Sequence, residues 1–355
     1  MAERFKNLCK YAILPLMLTY LQAIILGAVQ GITELFPISS LGHSIILPTL
    51  LGWKIDQGAD FFLIFLVATH FATALVLFIY FWKDWKRIIL GLLRSIKHIT
   101  IANLSAEHKA DARLGWLLVV GTVPAGLLGL LFQNKLQALF ASPKYVSIFL
   151  ICNGLVLFGA EYLRKRKEKM IKGQVKNPPS LTSFRDTPFK KGESNAEIPL
   201  VKGVAEAKPR SGDLQDSRFH GNDKNGRNDK QLSWANSFKV GLAQALALIP
   251  GFSRTGSALG GGLLVGLDHE EAARFAFLLA TPIIGAAAAL KLPHFLLHIH
   301  SYPAGSIFVG AIAAAICAYF SVKFLLKYFK TKTLTPFAVY CILAGAASTA
   351  FFFLK

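Results

Sequence analysis

The residues best suited to chemistry begin in a short polar segment between two apolar runs near the N-terminus. Gln30 and Glu34 are four residues apart, so on a helix they share one face and can bind one metal ion or one substrate group. Pro37 ends or kinks that helix, because proline lacks an N–H group and clashes with the preceding turn. The next residues supply hydroxyl groups, a tight turn and an imidazole from Ser39, Ser40, Gly42 and His43.

Ionisable groups between apolar runs are costly to bury, so this density of polar groups indicates a functional site. The alternative is that Glu34 and His43 lie in the lipid headgroup layer, where they cost little. Two serines and a helix-breaking proline between them favour the functional interpretation. His70, inside a later apolar run, is a weaker indication, because one histidine in a membrane helix is as often a structural hydrogen-bonding group as a reactant.

A second polar segment runs from Ile249 to Ser257. Its glycines allow the backbone to approach a ligand, and a helix that starts after it points its positive end at an anion. Arg254 is the decisive residue, because a guanidinium matches phosphate oxygens bidentately. No acidic residue is adjacent, so Arg254 requires an external anion or a carboxylate from elsewhere in the fold, such as Glu34. The predicted anion-binding residues are Ser39 from the first segment and Gly251, Ser253, Arg254, Thr255 and Gly256 from the second.

Together the two segments contain the groups that phosphoryl transfer needs, since that reaction depends on positioning and on neutralising charge over the transferred oxygens. The arginine and hydroxyl groups of the second segment suit a diphosphate. We therefore predict Glu34, Ser40, His43 and Arg254 as catalytic residues.

The elements that position these residues are apolar helices. The chain has 355 residues, 53% of them hydrophobic and 17% charged, with a mean hydropathy of +0.46. Soluble proteins have roughly 45–50% apolar and about 25% charged residues, so lipid is the solvent for most of this chain. Several runs approach the roughly 20 residues of a spanning helix, and a few are too short to cross alone. The runs are Leu14–Val29, Phe61–Trp82, Leu114–Phe132, Tyr145–Tyr162, Phe238–Ile249, Ala272–Leu290, Gly305–Leu326 and Phe337–Leu354.

The formal net charge of +19 lies largely in basic clusters between these runs, as expected of cytoplasmic loops. The clusters are Lys83, Lys86, Arg87, Arg94 and Lys97, then Arg164–Lys172, then Lys323, Lys327, Lys330 and Lys332. Without an aromatic-interleaved basic motif, the charge does not indicate nucleic-acid binding. The four cysteines show no CxxC spacing and imply no disulfide framework. The first apolar run follows Arg4, Lys6 and Lys10, lacks a cleavage site and is interpreted as a retained membrane segment.

A polar segment, Arg164–Gln231, divides the membrane-embedded chain and is predicted to be a disordered linker. We predict a first membrane half over residues 1–163, a linker over 164–235 and a second half over 236–355. The halves share an order of landmarks: Gly27 to Gln30 and then Pro37 to Gly42 in the first, Gly241 to Gln244 and then Pro250 to Gly256 in the second. This pattern predicts an all-α bundle with an inverted repeat and two broken, re-entrant helix pairs that meet at one site.

At these residues the sequence resembles the undecaprenyl-diphosphate phosphatases of the BacA/UppP type, membrane enzymes of bacterial cell-wall synthesis. Gln30–His43 is similar to the family's first signature, and Pro250–Gly256 is similar to its second. The resemblance covers both halves, and the Arg164–Gln231 segment looks like an insertion. It implies a multi-pass protein of the bacterial inner membrane whose site faces outward, a polyprenyl diphosphate substrate and a link to bacitracin resistance.

The resemblance also implies residue roles. Glu34 with Gln30 helps to hold a divalent cation, Mg²⁺ or Ca²⁺, and Ser253 with Arg254 grips the diphosphate. Ser40 and His43 supply the nucleophile and its acid–base partner, and the sequence leaves open which of them attacks phosphorus. Four residues depart from the family pattern: Gln30 for glutamate, Leu41 for threonine, Thr255 for serine and Ala258 for threonine. The first of these removes a carboxylate from the metal site.

A transporter built from inverted repeats is the main alternative, because broken helices with glycine, serine and arginine also bind substrates in transit. A carrier of anions gains from Arg254 but has no evident need for Glu34 and His43 in the partner segment. The acid-phosphatase-like lipid phosphatases have a Pro-Ser-Gly-His motif that only superficially matches Ser39–His43, because an extra residue intervenes here.

Overall fold

A computed structural model describes residues 18–97, 106–140, 142–176, 232–297 and 302–354. Within these residues the secondary structure is helical and contains no strand, which confirms the predicted all-α class. The basic residues before the first apolar run and most of the predicted linker lie outside the described residues.

The described residues form eleven α-helices and one short 3₁₀ helix, Ala245–Leu248. The α-helices of the first half are α1 Tyr20–Thr33, α2 Ser40–Leu50, α3 Asp60–Tyr80, α4 Trp82–Lys97, α5 Ala106–Phe140 and α6 Pro143–Lys176. Those of the second half are α7 Trp234–Gln244, α8 Arg254–Val265, α9 His269–Leu297, α10 Ala304–Tyr328 and α11 Thr335–Leu354.

Six of these helices are long and apolar enough to cross a bilayer, so the chain is a multi-pass membrane protein. The spans are Asp60–Tyr80, His108–Phe132, Pro143–Met170, His269–Lys291, Ala304–Tyr328 and Thr335–Leu354. The apolar runs beginning at Leu14 and Phe238 give α1 and α7, of 14 and 11 residues, which are too short to cross alone. Both short helices lead directly into the polar segments.

The chain divides into two compact units, and the first contains both membrane halves, Met1–Arg164 and Leu232–Lys355. Within it, helices of the second half pack on helices of the first: α10 contacts α1 and α3, and α9 contacts α3. The second unit is Lys165–Gln231, of which the structure describes the last turns of α6.

Glycine contacts hold the two short helices against long ones. A Cβ atom on Gly27 of α1 would lie 2.1 Å from the Gly310 carbonyl oxygen of α10. A Cβ atom on Gly241 of α7 would likewise lie 2.1 Å from the Gly121 carbonyl oxygen of α5. Small residues are common where membrane helices approach this closely. The two landmark glycines therefore pack alike, while the inverted repeat itself stays a prediction.

Candidate active site

The first helix break joins α1 to α2. Glu34 caps the C-terminus of α1 and donates its N–H to the Gln30 carbonyl at 2.9 Å. Ser39 then adopts φ of +68°, a left-handed conformation that is uncommon for a residue with a side chain. Its hydroxyl oxygen accepts the Gly42 N–H at 3.2 Å and caps the N-terminus of α2. The break is thus only a few residues long and places Ser40 in the first turn of a new helix.

The second helix break joins α7 to α8 through the 3₁₀ turn and Pro250-Gly251. Gly251 has φ of +102°, and a Cβ atom on it would lie 2.6 Å from the Val146 carbonyl oxygen, so only glycine fits without strain. Ser253 caps α8 and accepts the Gly256 N–H at 3.0 Å. Arg254 follows as the first residue of α8.

Two side chains tie the breaks together. Asn153 of α6 donates its amide N–H to the Pro37 carbonyl at 3.1 Å and accepts the Ser253 N–H at 3.0 Å. The Thr255 hydroxyl donates to the Glu34 carbonyl at 2.8 Å. The two Asn153 bonds link the backbones of both breaks through α6, and the Thr255 bond links the two breaks directly. The two segments therefore meet in one place, as the broken-helix interpretation predicts.

The Glu34 carboxylate lies at the junction and is buried. Its Oε1 is 3.0 Å from an Arg254 guanidinium nitrogen, so the cation of the second break pairs with a carboxylate of the fold. Its Oε2 accepts the Ser40 hydroxyl at 2.5 Å and the Gln30 amide N–H at 3.1 Å. The His70 Nε2 is also 3.1 Å from Oε2.

A cavity of about 60 Å³ opens beside this junction, enough for a few water molecules. Its lining combines both breaks with α3: Glu34, Ser40, Leu41, His70, Ala247, Phe252, Ser253 and Arg254. A hydroxyl, a carboxylate, an imidazole and a guanidinium therefore face one small space.

Of the predicted residues, Gln30, Glu34, Ser40, Ser253 and Arg254 come together at this cavity or on the carboxylate beside it. The other anion-binding candidates shape the backbone instead. Ser39 and Gly256 form helix caps, Gly251 makes the turn, and Thr255 binds the Glu34 carbonyl.

His43 lies outside the cavity lining. Its Nδ1 is 2.7 Å from the Ser39 carbonyl oxygen, and its Nε2 is 2.8 Å from the Tyr340 hydroxyl oxygen. Its ring stacks on that of Tyr340, with centroids 5.7 Å apart. Among the described residues, the hydrogen-bond partner of the Ser40 hydroxyl is Glu34, and no hydrogen bond joins Ser40 to His43.

Sequence reasoning missed or underrated three residues: His70, Asn153 and Tyr340. His70 and Asn153 are polar groups within apolar runs, the kind of position that marks function in membrane helices. Tyr340 gives no such signal, because tyrosine is common in membrane helices near the interface.

The predicted metal ligands, Gln30 and Glu34, lie side by side, and the cation itself stays a prediction. Among the described residues, no group of three or more His, Cys, Asp or Glu side chains could hold a metal ion. The Gln30 Oε1 is nevertheless a buried acceptor without a hydrogen-bond partner, on the amide whose N–H binds the Glu34 carboxylate. Mg²⁺ commonly binds through one or two carboxylates together with substrate phosphates and water.

Comparison with known proteins identifies the chain. The family model of the bacitracin resistance protein BacA matches residues 23–182 and 208–347. The undecaprenyl-diphosphatase of Mycolicibacterium paratuberculosis is 38% identical over 346 residues, covering 95% of this chain and 99% of that protein. Undecaprenyl-diphosphatase 2 of Frankia alni is 39% identical over 351 residues, covering 94% of this chain and 98% of that protein.

The family match extends into both ends of the polar segment predicted as an insertion and omits only residues 183–207 of it. Arg164–Gln231 as a whole is therefore not foreign to the family, and that expectation was too broad. The matched residues include both helix breaks and every side chain described at the cavity. The chain belongs to the bacitracin resistance protein BacA family.

Proposed function

We propose that this protein is an undecaprenyl-diphosphate phosphatase, which hydrolyses the lipid diphosphate to its monophosphate and inorganic phosphate. One observation carries the proposal: the Ser40 hydroxyl, the Glu34 carboxylate and the Arg254 guanidinium meet at one cavity although they come from two distant segments. The relatives named undecaprenyl-diphosphatase match nearly the whole chain, which supports the same activity.

Ser40 is the nucleophile in this mechanism. Its oxygen attacks the terminal phosphorus, and its proton passes to Glu34 Oε2, which already accepts it at 2.5 Å. The bond from phosphorus to the bridging oxygen breaks, and its electron pair leaves with the lipid monophosphate. Water then attacks the phosphoserine, and the bond from phosphorus to the Ser40 oxygen breaks. That oxygen takes its proton back from Glu34, and inorganic phosphate is released.

Arg254 binds the diphosphate and neutralises charge on the transferred oxygens. Its guanidinium lies 3.0 Å from Glu34, its side chain is 22% exposed, and the residue lines the cavity. An incoming phosphate competes with Glu34 for this cation. Binding of substrate thereby leaves Glu34 available for the Ser40 proton.

The resemblance makes His43 either the nucleophile or its acid–base partner, but the contacts of His43 favour Glu34 as the proton acceptor for Ser40. Both ring nitrogens of His43 face other partners, Ser39 and Tyr340. If His43 took the Ser40 proton, His43→Gln would reduce kcat as severely as loss of the hydroxyl. We expect the smaller loss that follows from disturbing the start of α2.

A divalent cation, Mg²⁺ or Ca²⁺, would be held by the Glu34 carboxylate and the Gln30 amide oxygen together with substrate oxygens. When bound, it would supply positive charge that stabilises the leaving and transferred oxygens.

The basic loops support a site that faces the outer side of the bacterial inner membrane. Arg164, Lys330 and Lys332 line one cavity with His269, the first residue of α9. Arg274 of α9 pairs with Asp84 at 2.7 Å, which brings the start of α4, with Lys83 and Lys86, near the same end of α9. Positive residues are typical of the cytoplasmic end. Helix α8 begins at Arg254 and ends shortly before His269, and its 12 residues span about 18 Å, which supports a site far from that end.

The test is phosphate release by protein purified in detergent, with a long-chain prenyl diphosphate and either Mg²⁺, Ca²⁺ or a chelator. We expect cation-dependent release that falls about 1,000-fold in Arg254→Ala, because the main diphosphate contact is removed. The inverted-repeat transporter is the alternative. Movement of a lipid phosphate across liposomes, with no release of inorganic phosphate, would establish it and refute the enzyme.

A further inference from the structure

His70 is the one residue of α3 that lines the cavity, and the sequence signatures give it no role. Its Nδ1 is 2.7 Å from the Leu66 carbonyl oxygen of the same helix, and its Nε2 is 3.1 Å from Glu34 Oε2. Both ring nitrogens thus face acceptor oxygens, and the ring donates to both when it carries two protons; the Leu66 contact fixes the plane of the ring. Since α3 packs against α9 and α10, the Nε2 position is set by a rigid part of the bundle.

The Glu34 carboxylate needs such a guide, because the terminal torsion of a glutamate side chain is broad. A guanidinium prefers to bind both oxygens of a carboxylate in parallel. Here Arg254 contacts Oε1, while Oε2 stays with Ser40, Gln30 and His70. Without donors on Oε2, the carboxylate would rotate until Arg254 contacted both of its oxygens. The Ser40 hydroxyl would then lose its hydrogen-bond acceptor.

His70 is the donor best placed to prevent this rotation. Gln30 lies on α1, which Glu34 caps, so Gln30 moves together with the carboxylate. The Ser40 hydroxyl is the group towards which the carboxylate must be oriented, so it is not an independent anchor. His70 alone among the described partners of Oε2 comes from a helix outside the two breaks. His70 therefore anchors the carboxylate from a separate helix.

We propose that His70 is a positioning residue for the reaction: its Nε2–H holds Glu34 Oε2 towards Ser40 and limits Arg254 to one oxygen, from which a phosphate can displace it. This inference rests on the proposed function and assigns His70 no proton transfer. The requirement is a hydrogen-bond donor at that point. A base–nucleophile pair oriented by a third group is a recurrent arrangement in covalent catalysis.

The experiment compares His70→Leu, which removes the donor, with His70→Gln, which keeps an N–H donor on a side chain of similar reach. We expect kcat to fall about 100-fold in His70→Leu, because the reacting pair loses its alignment, with KM nearly unchanged. His70→Gln restores most of the rate. His70→Asn, polar but too short to reach, should behave like His70→Leu and replaces it if that variant does not fold.

The matched control is His269→Leu, which breaks another buried histidine–glutamate contact, at 2.8 Å to Glu161, away from the cavity. It should lower Tm and leave kcat near the wild-type value. If wild-type protein releases phosphate and His70→Leu retains full kcat, the inference is wrong. It is equally wrong if KM alone rises or if His70→Gln is as impaired as His70→Leu. If the wild type releases no phosphate, the proposed function is what fails.

Discussion

The two helix breaks have similar backbone geometry but carry different functional groups. In each, a short helix ends, a proline follows within a few residues, and a serine hydroxyl accepts the N–H three residues ahead, at 3.2 Å from Gly42 and 3.0 Å from Gly256. The first break adds a carboxylate and the Ser40 hydroxyl that donates to it, whereas the second adds a guanidinium. The shared features form the turn, and the residues that differ supply the reactive groups.

The two breaks also reach a positive φ in different ways. The second break uses Gly251, which meets no steric penalty at φ of +102°. The first uses Ser39 at φ of +68°, where a side chain costs energy but also supplies the cap. Strain is tolerated where it keeps the Ser40 hydroxyl next to Glu34.

The largest expected effect is at the group that has no counterpart in the second break. Ser40→Ala should reduce phosphate release about 10,000-fold, because the nucleophile is lost while the cavity remains. Single-turnover assays with labelled diphosphate measure this loss. Ser321→Ala, which removes a serine hydroxyl away from the cavity, is the control and should keep most of the rate. Substantial turnover by Ser40→Ala would mean that another group, His43 foremost, attacks phosphorus.

A smaller effect is expected at the turn of the second break. Gly251→Ala should destabilise the fold by about 1–3 kcal/mol, because alanine is strained at that φ and its Cβ meets the Val146 carbonyl. Thermal unfolding in detergent measures the change in Tm. Gly266→Ala is the control: that glycine also has a positive φ, of +107°, but an added Cβ meets nothing within 4 Å. Equal losses at the two glycines would show that steric contact adds nothing.

The smallest effects sharpen the likeness between the breaks. Ser39→Ala and Ser253→Ala each remove one helix cap and should each cost about 1 kcal/mol of stability. Chemical unfolding of the two variants side by side provides the measurement. A large cost at one serine and none at the other would mean that the two caps are not equivalent.

Much of the fold was predictable, because membrane spans are long apolar runs and proline with glycine interrupts them visibly. An unpaired guanidinium at membrane depth requires an anion, so the sequence left two possible partners for Arg254: an external anion, or a carboxylate of the fold such as Glu34. The contacts of His70 and Asn153 were not predictable, because they depend on how α3 and α6 rotate against the breaks. The His43–Tyr340 pair joins residues 297 positions apart, and neither neighbourhood in sequence indicates the other.

The most direct test is an experimental structure with a non-hydrolysable prenyl diphosphate analogue, such as a methylene-bridged one, bound to the protein. The account predicts the terminal phosphorus about 3–3.5 Å from the Ser40 hydroxyl oxygen, with Arg254 moved from Glu34 onto the phosphate oxygens. A diphosphate bound elsewhere, with Arg254 still paired to Glu34, would contradict it.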